Sequence, residues 1–160
     1  MIFFWKACLL ITLLISLPVQ IVTAFLILRY FQPKDLLFKQ KRAGQEGCIF
    51  LLYKWRTLDS ETGQSNAFTR FLRRTSLDEL PQLFNILKGE MNFIGPRPLL
   101  PEYLEHYTAY QVQRHTVKPG LTGLAQVRGR NNLSWRHQFR YDVFYVKHRS
   151  WRFDLWIFGQ

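Results

Sequence analysis

Two adjacent carboxylates, Asp78 and Glu79, are the residues whose types and spacing best suit catalysis. They follow Arg73 in the sequence, and Arg97 comes later, between two prolines. A carboxylate can bind a metal ion or act as a nucleophile, whereas arginine forms forked hydrogen bonds with phosphate. The prolines stiffen the backbone around Arg97, so little entropy is lost when its guanidinium binds a phosphate. These residues predict a site for a phosphorylated, metal-bound substrate.

The carboxylates lie at the predicted start of a helix. Ser76 and Glu79 fit a capping box, but Pro81 would then stand where the helix needs the N–H that proline lacks. With Asp78 as N-cap, Pro81 falls in the first turn, where that N–H is not needed. We therefore expect Asp78 to cap this helix, whose apolar face would comprise Leu80, Leu83, Phe84 and Leu87.

The positive end of such a helix should keep Asp78 ionised, which suits a nucleophile or a metal ligand. The simpler alternative is that Asp78 is only a cap and Glu79 only a first-turn acid. For an isolated helix start this alternative is favoured, and Arg97 together with Arg73 weakens it.

Further basic residues could contact phosphate. Residues 49–56 have the pattern of a strand that places Lys54 and Arg56 on one face, although a solvated edge is the simpler interpretation. Residues 68–74 predict a short helix that carries Arg73. Residues 118–130 predict a glycine turn, a short apolar strand and a basic turn, where Arg128 or Arg130 could meet phosphate. A P-loop is not supported, because the GxxxxGK[ST] pattern does not occur.

The composition suits one compact domain preceded by an apolar segment. The chain has 160 residues, with 22 Lys and Arg against 11 Asp and Glu, a formal charge of +11. Such a charge favours phosphate-bearing partners, whether nucleic acid, anionic lipid or nucleotide. Cys8 lies in the apolar segment and Cys48 does not, so a disulfide is not expected, which fits a reducing compartment.

Residues 7–28 carry no charge, and as a helix they would rise about 33 Å, enough for a hydrocarbon core of about 30 Å. A spanning helix and a re-entrant helix are both compatible with this segment, and a signal peptide is the least favoured alternative. Pro18 near the middle favours a break, with Ser16 among the polar side chains that could satisfy the freed backbone. Basic residues at both ends favour two cytoplasmic ends.

Two more helices are predicted in the last third, over residues 99–113 and 134–148. On the second of these, Trp135, Phe139, Val143 and Val146 share one face. Aromatic and basic residues then crowd positions 151–158. This combination suits the headgroup layer of a membrane, while packing on the core is an equally good explanation.

Seven motifs in order resemble one family along nearly the whole chain, the bacterial sugar transferases, or monotopic phosphoglycosyl transferases. Any one of these motifs alone would be weak, but their shared order is a strong signal. They are Phe38-x-Gln40-x-Arg42-x-Gly44-x-x-Gly47-x-x-Phe50, Tyr53-Lys54-Trp55-Arg56-Thr57, Arg74-Thr75-Ser76-Leu77-Asp78-Glu79-Leu80-Pro81-Gln82, Leu87-Lys88-Gly89-Glu90-Met91, Gly95-Pro96-Arg97-Pro98, Lys118-Pro119-Gly120-Leu121-Thr122-Gly123 and Gln126-Val127-x-Gly129-Arg130.

The resemblance implies that a sugar-1-phosphate moves from a nucleoside diphosphate sugar, usually a UDP-sugar, to polyprenyl (undecaprenyl) phosphate, giving polyprenyl-diphospho-sugar and UMP. It implies Mg²⁺ as cofactor and an Asp-Glu dyad, with Asp78 as the nucleophile that forms a covalent phospho-sugar intermediate. Glu79 would be a metal or proton-handling partner, and Asp78 would also be near the metal. The phosphate-binding residues implied by the resemblance are Lys54, Arg73, Arg97 and, more weakly, Arg130.

The resemblance also implies an architecture: an α+β, mostly helical fold with a re-entrant membrane helix over residues 1–30, broken near Ser16 and Pro18. A small cytoplasmic catalytic domain with interfacial amphipathic helices would occupy residues 31–160, on the inner face of a bacterial inner membrane. The partners would be the UDP-sugar, polyprenyl phosphate and the bilayer, and not nucleic acid. The alternative is a membrane-tethered basic module that binds anionic lipid or nucleic acid without catalysis, which gives no reason for an Asp-Glu pair beside a Pro-Arg-Pro turn.

Overall fold

The computed structural model describes residues 2–30, 36–59, 63–129 and 132–160. Within these ranges the fold is mixed and mostly helical, with two small sheets, as predicted. The chain divides into two compact units, of which the first comprises Met1–Gln40 and Leu52–Asn85. The second comprises Lys41–Leu51 and Ile86–Gln160.

The first unit begins with helix α1, Ile2–Tyr30, which runs through Pro18 without interruption. The part from Leu9 to Arg29 is long and apolar enough to cross a membrane, judged by length and composition. Within the described residues, one apolar helix could therefore anchor the chain to a membrane. The re-entrant path expected from Pro18 stays a prediction.

A buried polar stripe runs along α1 beside Pro18. The side chains of Ser16, Gln20 and Thr23 are all buried, at helical spacings of four and three. Ser16 Oγ donates to the carbonyl of Leu13 at 3.3 Å, and Gln20 Nε2 donates to Ser16 Oγ at 3.1 Å. Ser16 thus adds a side-chain donor to a backbone carbonyl in the turn before Pro18.

The end of α1 packs into the core of the first unit. Ile27 is fully buried and clusters with Trp55 and Leu72. Trp55 ends strand β2, Ile49–Trp55, and Leu72 belongs to helix α2, Ala67–Arg74. Partly buried apolar residues complete this cluster: Ala24, Leu36, Leu37, Phe68 and Leu77. Burial of these side chains fixes the strand and helix that carry Lys54 and Arg73.

Strand β1, Leu37–Ala43, pairs with β2 in a two-stranded sheet whose base lies in the first unit and whose tip lies in the second. The predicted strand over residues 49–56 is confirmed, with Trp55 buried and its neighbours half-buried. A tight turn joins β1 to β2. Backbone bonding confines the turn to Gly44–Cys48, because the Gly44 N–H donates to the Cys48 carbonyl at 2.8 Å.

Helix α2 was predicted and is confirmed. Asn66 caps it: Asn66 Oδ1 accepts from the Thr69 N–H at 2.8 Å, and Thr69 Oγ1 accepts from the Asn66 N–H at 3.0 Å. This reciprocal capping box fixes the start of the helix. Its last turn carries Arg73 and Arg74.

Helix α3, Gln82–Leu87, closes the first unit near Asn85 and starts after Pro81. Its predicted apolar face is wrong: Phe84 and Leu87 are exposed, and only Leu83 of the helical members is buried. The buried face instead includes Asn85, whose Oδ1 accepts from the Tyr53 N–H at 3.2 Å. The buried face of α3 thus includes a polar side chain that hydrogen-bonds the backbone of β2, whereas the sequence pattern predicted an apolar face.

The second unit contains a parallel pair of short strands and three helices. Strand β3, Asn92–Ile94, pairs with β4, Gly120–Thr122, with Asn92 opposite Gly120 and Ile94 opposite Thr122. The helices are α4, Leu124–Gly129; α5, Trp135–His148; and α6, Trp151–Phe158. Within residues 118–130, the predicted short strand is confined to Gly120–Thr122, and the apolar residues that follow form α4.

The helix predicted over residues 99–113 is wrong. Two 3-10 segments occupy this region, Pro101–His106 and Gln111–Thr116. Tyr107 has an extended backbone, with φ −75° and ψ 133°, so the first segment cannot continue into an α-helix. Tyr107 instead packs on α5, with its ring 5.5 Å from that of Phe139.

Helix α5 is confirmed, and its predicted face is confirmed in part. Phe139 and Val143 are buried, whereas Trp135 is 49% exposed. The hydroxyl of Tyr145, also on α5, lies 2.7 Å from Asp154 Oδ1 and 3.2 Å from the Ile94 carbonyl oxygen. Tyr145 thus ties α5 to both α6 and β3 in the core of the second unit.

Candidate active site

The carboxylates Asp78 and Glu79 lie in a single 3-10 turn, Leu77–Glu79, which precedes α3. The prediction that Asp78 caps an α-helix is wrong, because Pro81 separates this turn from the helix that begins at Gln82. The turn places Asp78 in a buried position and leaves Glu79 half-buried. Two neighbouring carboxylates thus occupy different environments within one turn.

Ser76 begins the turn with a left-handed backbone, φ 59° and ψ 16°. This conformation is unfavourable for a residue with a Cβ atom, and non-glycine residues in such regions concentrate at functional sites. Ser76, which was rejected as the cap in favour of Asp78, occupies the N-cap position of this turn, but its side chain makes no cap hydrogen bond there. The left-handed residue turns the chain from α2 into the carboxylate turn.

Lys54 contacts the carboxylate turn directly. Its Nζ lies 2.5 Å from Glu79 Oε1, and both side chains are largely shielded, with 19% and 16% exposure. This pair joins β2 to the 3-10 turn within the first unit. A solvated edge, the simpler interpretation of Lys54 from sequence, is therefore wrong, because the ammonium belongs to the same cluster as the two carboxylates.

The charge state of Asp78 reflects opposing influences. Burial raises the pKa of Asp78 above its usual value, the Lys54 charge lowers it, and the Glu79 charge raises it again. The Arg73 guanidinium lowers the pKa of Asp78 more weakly. The sequence predicted that a helix terminus keeps Asp78 ionised. In the structure the largest influence on the pKa of Asp78 is desolvation, which raises it, and the charges of Lys54 and Arg73 oppose that increase.

Lys54, Arg73, Asp78 and Glu79 are therefore brought together in the first unit. Arg73 reaches the cluster from the last turn of α2, where its side chain is exposed. A cation with an exposed side chain beside two shielded carboxylates can bind the phosphate of an incoming substrate. The four residues provide a potential nucleophile, a second carboxylate and two cations in one place.

Arg97 belongs to the second unit, in the loop after β3. Its side chain is exposed between Pro96 and Pro98, both buried. Two backbone hydrogen bonds hold the loop: the Gly120 N–H donates to the Pro96 carbonyl at 3.0 Å, and the Ala43 N–H donates to the Leu99 carbonyl at 2.9 Å. The loop is fixed on both sides, as the flanking prolines predicted.

Glycine is required where this loop meets β4. A Cβ atom at Gly95 would lie 2.6 Å from the Lys118 carbonyl oxygen and 2.7 Å from the Gly120 nitrogen, so no other residue fits without backbone movement. This close approach explains why glycine precedes Pro96 and recurs after Pro119. The two motifs are thus parts of one structure that holds Arg97.

Sequence reasoning missed Arg114, which holds the Arg97 loop by a hydrogen bond to the loop backbone. Arg114 is 2% exposed, and its Nη2 donates to the Arg97 carbonyl at 2.6 Å. The same guanidinium pairs with Asp142 Oδ2 at 2.9 Å, and its Nη1 donates to the Tyr107 hydroxyl at 3.2 Å. Burial raises the pKa of Asp142, and the Arg114 charge opposes this. Asp142 among apolar residues on the predicted α5 helix was the available sequence signal.

The other predicted residues are Arg128, Arg130, Ser16 and Pro18. Arg130 lies outside the described residues. Arg128, its alternative in the sequence, is exposed at the end of α4, with its guanidinium carbon 5.2 Å from the Trp156 ring centroid. Ser16 and Pro18 lie within α1, and their predicted role in a re-entrant turn stays a prediction.

The carboxylates of Asp78 and Glu79 suit a magnesium ion that is bound together with the phosphates of a substrate. Among the described residues no group of three or more His, Cys, Asp and Glu side chains converges. Mg²⁺ is commonly held by one or two carboxylates together with substrate phosphates and water. Asp78 and Glu79 match that donor set, since they adjoin one another in the turn and both present only oxygen ligands.

Comparison with known proteins identifies the class of this site. The chain matches the family described as bacterial sugar transferase over residues 3–160. It is 43% identical over 157 residues to the uncharacterized sugar transferase EpsL of Bacillus subtilis, covering 92% of this chain and 78% of the relative. The chain therefore belongs to the bacterial sugar transferase family, as the seven motifs predicted.

Two further relatives carry names that state a reaction. The chain is 37% identical over 146 residues to the UDP-glucose:undecaprenyl-phosphate glucose-1-phosphate transferase of Xanthomonas campestris, covering 78% of this chain and 29% of that protein. It is 33% identical over 176 residues to the undecaprenyl-phosphate galactose phosphotransferase of Salmonella typhimurium, covering 93% and 36%.

The chain thus spans about a third of the length of these two relatives, whose names describe sugar-phosphate transfer to undecaprenyl phosphate. These similarities confirm the prediction of an enzyme of the phosphoglycosyl transferase class. The alternative of a basic binding module without catalysis is accordingly not supported.

Proposed function

We propose that this protein transfers a sugar-1-phosphate from a UDP-sugar to polyprenyl phosphate at a membrane. The observation that carries the proposal is the cluster in which a buried Asp78 adjoins Glu79, while Lys54 and Arg73 supply positive charge. Phosphoryl transfer depends on a placed nucleophile and on cations that stabilise the phosphate oxygens. The names of both relatives support undecaprenyl phosphate as acceptor, and the name of the Xanthomonas campestris protein supports a UDP-sugar as donor.

In the first step, an Asp78 carboxylate oxygen attacks the β-phosphorus of the UDP-sugar. The bond between that phosphorus and the oxygen bridging the two phosphates breaks, and UMP leaves with the bridging oxygen. Asp78 then carries the sugar-1-phosphate as an acyl phosphate. A covalent intermediate separates the exchange into two displacements, so the two bulky substrates need not be bound together.

In the second step, a phosphate oxygen of polyprenyl phosphate attacks the phosphorus held on Asp78. The bond between the Asp78 oxygen and phosphorus breaks, which restores the carboxylate and gives polyprenyl-diphospho-sugar. No redox change occurs, and the proton balance is confined to the phosphate oxygens. Asp78 must be ionised when each cycle starts, because the protonated carboxyl is a weak nucleophile.

The surrounding cations would act on these steps by charge. Lys54 opposes the protonation of Asp78 and positions Glu79 through their ion pair. Arg73, exposed at the end of α2, would bind donor phosphate, and Arg97 would do so from its rigid loop. Mg²⁺, held by Asp78 and Glu79 with the substrate, would supply neutralisation of the diphosphate charge.

Helix α1 would place this chemistry at the bilayer that contains the lipid acceptor. We infer a re-entrant helix with both ends in the cytoplasm, and a catalytic domain over residues 31–160 on the cytoplasmic face of a bacterial inner membrane. The basic residues that follow the apolar segment support this orientation. The apolar helix α1, whose length suits a membrane, supports membrane attachment.

The proposal is tested by UMP release from purified protein in lipid. Incubation with Mg²⁺, a panel of UDP-sugars and undecaprenyl phosphate should release UMP with at least one sugar. Asp78→Asn should abolish release, whereas the matched control Asp59→Asn, in the loop between β2 and α2, should retain it. The proposal fails if folded protein releases no UMP with any sugar, or if Asp78→Asn retains near-normal turnover.

A further inference from the structure

A cavity of about 650 Å³ lies in the second unit, among helices α4, α5 and α6. None of the catalytic residues named above lines it. The side chains that matter for its chemistry are Arg128, Arg140, Tyr141, Phe144, Phe153 and Trp156. Its volume falls within the range typical of small-molecule sites, about 300–1,000 Å³.

One part of this cavity is cationic. Arg128 and Arg140 both line it, and Arg128 lies against the Trp156 ring at 5.2 Å. Of the residues that the structure describes, none of those lining the cavity is acidic. Two guanidinium groups without a lining carboxylate favour an anion, and arginine is the side chain best suited to phosphate oxygens.

The other part is aromatic and open to the surroundings. Phe144 is 48% exposed and Trp156 is 40% exposed, although both are large apolar side chains. The Phe153 and Trp156 rings stack at 5.9 Å with an interplanar angle of 19°, and Phe144 contacts Phe153 edge-on at 6.3 Å. Such a wall favours an apolar chain over a polar one.

We propose that this cavity binds the lipid acceptor of the proposed reaction, a polyprenyl phosphate, and the inference rests on that proposed function. Before transfer, the phosphate of the docked lipid lies at Arg128 and Arg140, and the first isoprene units lie against Phe144, Phe153 and Trp156. The phosphate leaves the two arginines to attack the phosphorus held on Asp78. The cavity holds only this end of the lipid, and the remaining prenyl chain stays in the bilayer. Positive charge beside exposed aromatic rings matches an amphiphile with an anionic end.

Charge distinguishes this acceptor from ordinary phospholipids. A phosphate monoester carries about −1.5 to −2 charges at pH 7, since its second pKa is about 6. A phosphodiester headgroup carries a single negative charge on its phosphate. Two arginines complement the monoester better, so the cavity should select a lipid phosphomonoester with a prenyl chain.

The test is equilibrium binding of undecaprenyl phosphate to the full chain in phosphatidylcholine nanodiscs, followed by native mass spectrometry. Arg140→Gln and Arg128→Gln should each weaken binding about tenfold or more. Arg136→Gln is the matched control, because Arg136 is exposed on the same helix, α5, and does not line the cavity. Phe144→Ser should also weaken binding, since it removes apolar contact while retaining both cations.

Competing ligands test the lipid class. Inorganic phosphate and phosphatidylglycerol should compete at least tenfold less well than undecaprenyl phosphate. Phosphatidic acid, which joins a phosphomonoester to acyl chains, should compete less well than the prenyl lipid. Equal competition by phosphatidylglycerol or phosphatidic acid would overturn the acceptor assignment in favour of a general anionic-lipid site. Unchanged binding in both arginine variants would overturn the site itself.

Different results would contradict the proposed transferase function and the proposed lipid site. With UDP-sugar and Mg²⁺ but without acceptor, Arg140→Gln should release the same single-turnover amount of UMP as the unmodified chain. Its KM for undecaprenyl phosphate in full turnover should rise about tenfold or more. If the unmodified chain releases no UMP, the proposed function is wrong, whereas undecaprenyl phosphate binding that responds to the arginine variants still demonstrates the lipid site. A reduced UMP burst in Arg140→Gln would overturn the acceptor role.

Discussion

At the scale of single residues, Asp78 has to be both buried and ionised. Burial raises its pKa, and the neighbouring carboxylate of Glu79 does the same, while Lys54 and Arg73 lower it. A partly desolvated carboxylate is a better nucleophile than a fully hydrated one, provided that cations keep it charged. The balance between burial and these cations should therefore appear in the pH dependence of the reaction.

Lys54→Met should shift that pH dependence. Because the Lys54 charge lowers the pKa of Asp78, its removal should raise that pKa further and leave more of the carboxyl protonated. The acid limb of the single-turnover UMP release should then move to higher pH. At a pH well above this limb the rate should still fall, by about 10²–10³-fold, as when one electrostatic donor is removed from an active site.

The matched control is Lys41→Met, which removes an exposed lysine from β1. It should leave both the rate and the acid limb unchanged. A shift of the acid limb toward lower pH in Lys54→Met would contradict the assigned electrostatics, since it would mean that Lys54 favours the protonated carboxyl.

Arg114→Met should disturb the Arg97 loop, because it removes the side chain that donates a hydrogen bond to the Arg97 carbonyl. The substitution leaves Asp142 buried without its partner, and breaking such a pair typically costs about 3–5 kcal/mol of folding free energy. The thermal unfolding temperature in lipid should therefore fall. The double variant Arg114→Met, Asp142→Asn removes both charges and should recover much of that stability.

The double variant separates support of the loop from folding. It should still show a raised KM for UDP-sugar, because the Arg97 carbonyl has lost the donor that holds it at 2.6 Å. A double variant with recovered stability and an unchanged KM would show that Arg114 stabilises the fold without positioning Arg97.

At the scale of elements, the carboxylate turn depends on the left-handed conformation of Ser76. Glycine adopts φ 59° readily, whereas a β-branched residue does not. Ser76→Val should therefore lower stability by about 1–2 kcal/mol, the usual cost of a left-handed residue. Ser76→Gly should be nearly neutral. Chemical denaturation in detergent micelles, monitored by tryptophan fluorescence, would measure both.

Thr75→Val is a suitable control for Ser76→Val, because Thr75 has a right-handed backbone, with φ −88° and ψ −3°. Its hydroxyl donates only to carbonyls at the end of α2. If Ser76→Val were no more destabilising than Thr75→Val, the left-handed residue would have no special importance for the turn.

The sequence predicted those elements whose pattern is local. Helix α2, strand β2 and helix α5 each have a clear period or a capping residue, and all three are confirmed. The carboxylate turn was mispredicted because one rule, the tolerance of proline in a first helical turn, allowed a continuous helix. A left-handed backbone at a serine has no sequence signal, so the 3-10 turn could not be inferred.

The same distinction between local sequence patterns and contacts between distant residues holds for the candidate site. The candidate site residues Asp78, Glu79 and Lys54 are adjacent in sequence or belong to motifs, so the sequence pattern is sufficient to propose them. The ion pair between Lys54 and Glu79 joins residues that are 25 positions apart, and only the packing of β2 against the turn brings them together. Arg114 was missed because its partners, Arg97 and Asp142, are similarly distant in the chain.

At the scale of the whole molecule, the path of α1 determines where the chemistry occurs. Single cysteines introduced near Lys6 and near Arg42, with the native cysteines replaced, should both be labelled by impermeant reagents from the cytoplasmic side. The physical reason is that basic residues at both ends of the apolar segment favour the cytoplasm. Inverted and right-side-out vesicles from the same cells would provide the comparison.

Pro18→Leu provides a sharper test of this path. If the proline and the polar stripe around Ser16 cause a re-entrant turn, the substitution should favour a straight spanning helix and move the label near Lys6 to the opposite side. Labelling of the unmodified chain on opposite sides would establish a spanning helix and contradict the re-entrant path. Val19→Leu, beside the proline, is the control and should leave labelling unchanged.

The covalent intermediate is the central claim. Protein in nanodiscs is incubated with Mg²⁺ and a reactive UDP-sugar without polyprenyl phosphate, then quenched, digested and analysed by mass spectrometry. A peptide containing Asp78 should gain the mass of one sugar phosphate, in proportion to the UMP released, and should lose it when undecaprenyl phosphate is added. UMP release with sugar transfer but without any adduct on Asp78, or an adduct that persists after the acceptor is added, would contradict a mechanism through this carboxylate.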